Sequence, residues 1–137
     1  MMVFCCCMLA CSARGIPEQQ GPRDVVSNFY AWYIEESNDI RKNPIKDEIM
    51  YRYVYACTVN KCRIDLKQAN LDANYFLRGN DFYYERFKSL TVHAPVSIND
   101  SIALVPVGFG DEKPSILVFV QKTKDGWRII KVEDSWY

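Results

Sequence analysis

The sequence contains few of the residues that usually carry chemistry. Its 137 residues include a single histidine, His93, and no nucleophile and base in a recognisable motif. A lone imidazole is more often a packed or solvent-facing residue than a general base. No stretch alternates carboxylates at calcium-loop spacing, and the cysteines lack the C-x2-C pairs of structural zinc sites. We therefore predict a protein that is not an enzyme, with no catalytic residue, no metal and no cofactor.

The sequence also lacks a net charge of either sign. Lys and Arg together number 17, and so do Asp and Glu, which gives a formal net charge of zero. No overall field then steers the molecule onto a polyanion, so nucleic acid is a disfavoured partner. The hydrophobic fraction of 49% and the aromatic fraction of 14% exclude a disordered chain. The length suits one globular domain.

No apolar run is long enough to cross a membrane, which takes about 20 residues. The run from Val3 to Ala10 instead has the length of the hydrophobic part of a secretory signal. Its end, Met8-Leu9-Ala10-Cys11, resembles a bacterial lipobox. The resemblance implies cleavage before Cys11 and a lipid on its thiol. Ser12 after the cysteine implies the periplasmic face of the outer membrane, with the chain held there by its lipid.

The chain divides into three segments. Residues 1–10 are predicted to be the signal peptide, and residues 11–21 are polar, with a Gly-Ile-Pro break, as expected of a tether. From residue 22 apolar residues recur at helical spacing, through Val25, Phe29 and Trp32 to Tyr33. We therefore predict one folded domain over residues 22–137 that opens with an amphipathic helix.

Helical patterns fill the first half of this domain and strand patterns fill the second. Asn43-Pro44 suits the start of a second helix that runs to Cys57, and Thr58 suits the cap of a third. The strands are predicted at residues 90–96, 102–109, 115–121 and 127–133, with an edge or bulge at Pro106. This order predicts an α+β fold, with N-terminal helices packed on a curved four-stranded antiparallel sheet.

Two parts of the sequence resemble known families. The segments ILVFV and WRIIKVED, around a Lys-Asp-Gly turn, resemble the closing hairpin of the cystatin-like cone shared by ketosteroid isomerase and nuclear transport factor 2. The segments VSNFYAWYIEES and LDANYF, followed by Asp81-Phe82, resemble the uncharacterised YbjP-like family of small bacterial lipoproteins. The second resemblance covers the chain from about Pro22 onward and implies a lipoprotein with the cone fold.

Two groups of residues are candidate sites. Tyr75, Asp81, Tyr83 and Tyr84 are candidates for a pocket or a partner surface, because aromatic rings and a nearby carboxylate suit either. Cys57 and Cys62 remain after the leader and could form a disulfide in an oxidising periplasm. Residues five apart on one helix point away from each other, so that bridge requires a break near Thr58.

Three functions remain open at this stage. The first is a non-enzymatic lipoprotein module that binds another protein of the cell envelope. The second is an immunity protein that neutralises a toxin delivered to the periplasm. The third is a ketosteroid-isomerase-like enzyme or a carrier of a small ligand, which shares the predicted cone but lacks an evident acid and base.

Overall fold

The computed structural model describes residues 20–68, 75–78, 84–110 and 113–135. The predicted leader, residues 1–10, and most of the predicted tether lie outside this part of the chain. The helices are α1 (Pro22–Asn38), α2 (Met50–Tyr53), α3 (Ala56–Lys67) and α4 (Tyr84–Phe87), with a 3₁₀ turn at Pro44–Lys46. The strands are β1 (Leu90–Val92), β2 (Val96–Ser97), β3 (Ile102–Phe109), β4 (Ile116–Thr123) and β5 (Gly126–Asp134).

The strands form one antiparallel sheet with helices packed against it. β3 pairs with β4 and β4 with β5, while β1 and β2 both pair with the other side of β3. The predicted α+β class, helices on an antiparallel sheet, is confirmed. The sheet has five strands where four were predicted, because the first predicted strand is divided into β1 and β2.

The division of that strand is explained by Pro106. β3 is a central strand, not the edge strand that the proline predicted. The carbonyl of Pro106 accepts a hydrogen bond from the His93 amide at 2.9 Å, so the proline's backbone polar groups face the gap between β1 and β2. Pro106 lacks an N–H and cannot return a hydrogen bond to the His93 carbonyl, so the pairing of β1 with β3 ends at Val92. The bulge in this sheet lies elsewhere, opposite Phe119 and Val120 in the pairing of β4 with β5.

Helix α1 forms as the periodicity predicts, and it supplies much of the core. It begins at Pro22, and the Asp24 carboxylate accepts a hydrogen bond from the Gly21 amide at 3.0 Å. A proline and an acidic residue both suit a helix start. Its buried face packs against β1, β3 and β5 and consists of Val25, Val26, Phe29, Tyr30, Tyr33 and Ile34.

The middle of the chain differs from its prediction. Asn43 does cap, since its side chain accepts from the Ile45 amide at 3.2 Å, but it caps only a 3₁₀ turn. The predicted second helix is interrupted at Val54, which pairs with Ile129 as an isolated bridge beside β5. Helix α3 then starts at Ala56, before Thr58, whose hydroxyl donates instead to the Ile130 carbonyl at 2.9 Å. Hydrogen bonds to the β5 edge thus outweigh helical continuity.

No helix in the described part of the chain is long and apolar enough to span a membrane.

Candidate functional site

The two faces of the sheet differ in what covers them. One face packs under α1 and is buried along its whole length through alternate residues of β3, β4 and β5: Ala103, Val105, Val107, Phe109, Ile116, Val118, Val120, Ile129 and Val132. In the described part of the chain, the other face has no covering helix. An antiparallel sheet often leaves one face to water, and that face is then polar.

Here the uncovered face is apolar at its centre. Leu104 and Pro106 of β3 lie opposite Phe119 and Leu117 of β4, and all four are half-buried. Toward the sheet edge, Val96 of β2 pairs with Leu104, which places both side chains on this face. Val96 is 55% exposed and Ile98 is 53% exposed. We call this surface the outer patch, and it consists of Val96, Ile98, Ile102, Leu104, Pro106, Leu117 and Phe119.

The turn beside the outer patch is held by its own hydrogen bonds. The Asn99 side chain accepts from the amides of Ser101 and Ile102, both at 2.8 Å. The Ile98 amide donates to the Ile102 carbonyl at 2.9 Å, and the Ser97 hydroxyl donates to the Asn99 carbonyl at 3.0 Å. An Asx-type turn of this kind defines the hairpin without tertiary support. Val96 and Ile98 are therefore presented on an ordered element.

Charged side chains border the outer patch on β5. Lys131 lies opposite Phe119 and forms an ion pair with Glu133, and Arg128 lies opposite Gln121. An apolar centre with a polar and charged rim is the usual anatomy of a surface that binds another protein. Contiguous exposed apolar area on a soluble domain also marks such surfaces.

The predicted tyrosine surface is not brought together by the described residues. Asp81 and Tyr83 lie outside them. Tyr75 packs edge-on against Phe76 with ring centroids 4.9 Å apart, and burial is the main cause that raises its pKa. The Tyr84 hydroxyl donates to the Glu35 carboxylate of α1. Both tyrosines pack against the core, which accounts for them without a ligand.

The groups that could act as acids or bases do not converge either. His93 is half-buried, and its Nε2 atom has no hydrogen-bond partner. Asp134 forms an ion pair with Arg78 at 3.0 Å. Among the described residues no charged side chain is fully buried, and no three His, Cys, Asp or Glu side chains are placed to hold a metal. The titratable side chains that burial desolvates most strongly are Tyr30, Tyr33 and Cys62, and burial raises the pKa of each. They lie within the apolar core and not in a cleft, where an active site would place such groups.

Two surface crevices lined by described residues offer little to a small ligand. One of about 280 Å³ lies between the α2–α3 junction and the β4–β5 turn, beside Tyr55, Lys124 and Asp125. Another of about 270 Å³ is lined by Lys46, Arg63, Leu66 and Lys67. Both volumes fall just below the range of roughly 300–1,000 Å³ usual for ligand pockets. Their lining residues, apart from Val54, are exposed or half-buried, and both crevices open to solvent, so neither provides an enclosed site.

The two cysteines of α3 are both free. The helix is continuous from Ala56 to Lys67, so the break near Thr58 that a disulfide requires is absent. Five residues of α-helix turn the second side chain by about 140° from the first. Cys57 is exposed and Cys62 is buried, and burial raises the pKa of the Cys62 thiol to about 11.

The two thiols should therefore react very differently. At about pH 8 a thiol-alkylating reagent should modify Cys57 rapidly in the native protein, while Cys62 stays protonated and shielded until the domain unfolds. Peptide mass spectrometry after a short labelling pulse measures both positions separately from Cys5, Cys6, Cys7 and Cys11. The Cys57→Ser variant should lose only the rapidly labelled peptide. A linked Cys57–Cys62 peptide in unreduced protein would contradict this expectation.

The sequence carried one signal of the outer patch that the strand predictions did not use. Ile116-Leu117-Val118-Phe119-Val120 is an unbroken apolar run in β4. A strand with one solvated face normally alternates apolar and polar residues. An unbroken apolar run therefore indicates that both faces of the strand are covered by other residues or by a partner. On the buried face, Ile116, Val118 and Val120 pack in the core. The other face carries Leu117 and Phe119.

The fold and this surface define a small α+β domain of the kind that binds another protein. The chain is similar to the immunity protein Tai3 in the crystal structure of the type VI native effector–immunity complex Tae3–Tai3 from Ralstonia pickettii. The identity is 31% over 86% of this chain and 98% of that chain, with a TM-score of 0.76. The selenomethionine form of that complex matches at 30% identity over 85% of this chain and 98% of that chain, with a TM-score of 0.72. The chain belongs to the Tai3 family of type VI immunity proteins.

No family profile matches the chain, and no curated protein matches it closely. The resemblance to YbjP-like lipoproteins thus stays a prediction from the sequence. The comparison with Tai3 favours the toxin-neutralising alternative over the binding of a resident envelope protein.

Proposed function

We propose that this protein is the immunity protein of a type VI effector, which it neutralises by binding and not by chemistry. The observation that carries the proposal is the match to Tai3, which extends over 98% of that chain at 31% identity. The fold supports it because the outer patch provides an apolar surface with a charged rim. The scattered positions of His93 and Asp134 support a role without catalysis.

A growth assay tests the proposal. The protein encoded beside this chain's gene, and separately Tae3 of Ralstonia pickettii, is directed to the periplasm of a laboratory bacterium. We expect the neighbouring protein to arrest growth and co-expression of this chain to restore it, because an occupied toxin surface cannot reach its substrate. If the chain protects against neither protein, the proposal is wrong.

The same assay separates binding from catalysis. His93→Ala should protect as well as the wild type, because contact does not depend on proton transfer at that imidazole. Calorimetric titration of the purified chain into the effector should saturate at one chain per effector. Protection that persists with far fewer chains than effectors, or that is lost in His93→Ala while the fold is retained, would indicate an enzyme.

We also propose that the chain acts from a lipid anchor on the periplasmic face of the outer membrane. The lipobox-like Met8-Leu9-Ala10-Cys11 supports this placement. In the growth assay, Cys11→Ala should abolish labelling by a fatty-acid analogue and release the chain from membranes, whereas Cys5→Ala should change neither. An unlabelled, soluble wild type would overturn the anchor and leave the binding proposal standing.

A further inference from the structure

We infer that the outer patch is the surface with which this chain holds its effector. The inference rests on the proposed function and adds to it the face of the molecule that makes the contact.

The exposure of apolar side chains is concentrated at this patch. Among the described residues, five large apolar side chains are exposed: Ile40, Tyr55, Ile64, Val96 and Ile98. Ile40 follows α1, Tyr55 precedes α3 and Ile64 lies on α3, so these three occur singly, which is normal for a protein surface. Val96 and Ile98 are two residues apart and continue onto the half-buried Leu104 and Phe119. Among the described residues, these two exposed apolar side chains thus join a row of half-buried apolar side chains on one face of the sheet.

The patch is also ordered before any partner arrives. Val96 and Leu104 are held in register by the pairing of β2 with β3, and Leu104 is held against Phe119 by the pairing of β3 with β4. The Asn99 side chain secures the connecting turn through the amides of Ser101 and Ile102. Side chains that are already placed lose less conformational entropy on binding, so an ordered patch binds more tightly than a flexible loop of the same composition.

The chemistry of the patch fits a folded protein better than a membrane. The charges on its β5 border are mixed, with Lys131 paired to Glu133. Attraction to an anionic lipid surface requires a cluster of about four or more Lys and Arg. The β5 border carries two, Arg128 and Lys131, beside Glu133, on a chain with zero net charge. Apolar centres with mixed charged rims are typical of protein contacts.

Pairing of sheet edges with a second copy is disfavoured by the shape of the edge. β2 has only two residues, and Pro95 directly before it cannot donate a ladder hydrogen bond. Short edge strands and prolines block the addition of another strand. The β2 edge therefore favours contact through side chains on the face of the sheet over the addition of a strand. The occupant we commit to is the effector, since Tai3 is solved in complex with its effector Tae3.

The test uses two exposed residues whose replacement leaves the core intact. The double variant Val96→Glu with Ile98→Glu places two carboxylates in the patch, and Ile64→Glu is the matched control, since Ile64 is 54% exposed but lies on α3. The probe is the effector neutralised in the growth assay, and calorimetry measures its Kd. We expect the double variant to bind at least about 30-fold more weakly, because a bound effector would remove two unpaired carboxylates from water. Ile64→Glu should bind within about threefold of the wild type.

A second variant guards against misfolding. Val96→Ser with Ile98→Ser removes apolar area without adding charge, and circular dichroism and the Tm of each variant report whether the domain is folded. Two folded variants that bind as tightly as the wild type would overturn the inference and leave the proposed function intact. A wild type that fails to bind the effector would instead remove the proposed function itself.

The alternative occupants give separate results. If the wild type dimerises in light scattering and the Glu variant is a monomer with unchanged effector affinity, a second copy covers the patch. If the Glu variant exposes residues 11–19, which remain after the predicted cleavage, to protease with unchanged affinity, the chain's own N-terminal segment covers it. Either result overturns the inference.

Discussion

Phe29→Ala is expected to destabilise the domain severely. Phe29 is fully buried on α1, and its ring centroid lies 5.0 Å from that of Tyr30, 5.1 Å from that of Phe76 and 5.2 Å from that of Tyr33. Truncation of a buried phenylalanine removes its apolar contacts and leaves a cavity, at a cost of about 3–5 kcal/mol. A small domain is stable by only about 5–15 kcal/mol in total.

Denaturant unfolding followed by fluorescence measures this loss as a lower midpoint. Asn28→Ala is the matched control, because Asn28 is the preceding residue of α1 but is exposed. It should change the free energy of unfolding by no more than about 0.5 kcal/mol. If Phe29→Ala lies within that range too, α1 does not pack as described.

Arg63→Ala is expected to have the second-largest effect, by loosening the segment between α1 and α3. The guanidinium of Arg63 donates to the carbonyls of Ile45 and Asp47, at 2.9 and 3.1 Å, and also bonds the Glu48 carboxylate and the Tyr51 hydroxyl. Its removal leaves the two carbonyls without this donor. Hydrogen bonds from a charged group contribute about 1.5–3 kcal/mol, so we expect a loss of about 2–3 kcal/mol.

Hydrogen exchange shows where this loss occurs. In Arg63→Ala, the amides of residues 44–55 should exchange faster because this segment opens locally. The amides of β3 and β4 should still exchange through global unfolding, and their exchange rates should rise only by the amount that the lower global stability predicts. Arg63→Lys keeps the positive charge but lacks the planar fork of donors, so it should recover only part of the stability. Full recovery by Arg63→Lys would mean that charge alone holds this segment.

The sequence was most informative where local pattern and tertiary packing agree. The apolar spacing around Phe29 and Tyr33 predicts α1, and Pro22 marks its first residue. The β-rich runs of the second half predict β3, β4 and β5 to within two residues at most ends. In these segments periodicity decides which side chains can be buried together, so few alternatives compete.

The segment between Asn43 and Thr58 could not be predicted in the same way. Its residues are compatible with a helix, but the Tyr55 amide donates to the Ile129 carbonyl at 2.8 Å and Val54 pairs with the same residue. Such pairing depends on the β5 edge, which is remote in sequence. The contacts of Arg63 could not be predicted for the same reason, because its hydrogen-bond partners lie 12 to 18 residues away in the sequence.

Part of the candidate site could be predicted from the sequence, and part of it could not. The lack of a catalytic motif around the single histidine predicted a protein that binds without chemistry, because catalysis requires particular residue types. The location of the binding surface depends on which face of the sheet α1 covers. Tyr75 and Tyr84 were predicted from the sequence to line a pocket or a partner surface, but both pack against the core. Leu117 and Phe119 sit in an apolar run that looks like core, yet they lie on the uncovered face.

The sequence by itself thus determined the α+β class, the first helix and the three long strands. These follow from side-chain periodicity, which is a local property of the chain. Only the tertiary structure decided that Val54 joins β5, that Pro106 faces a gap in the neighbouring strand, and that Val96 and Leu104 share an uncovered face. Each of these depends on hydrogen bonds or packing between residues far apart in sequence, and a residue's own type does not reveal which distant neighbour will satisfy it.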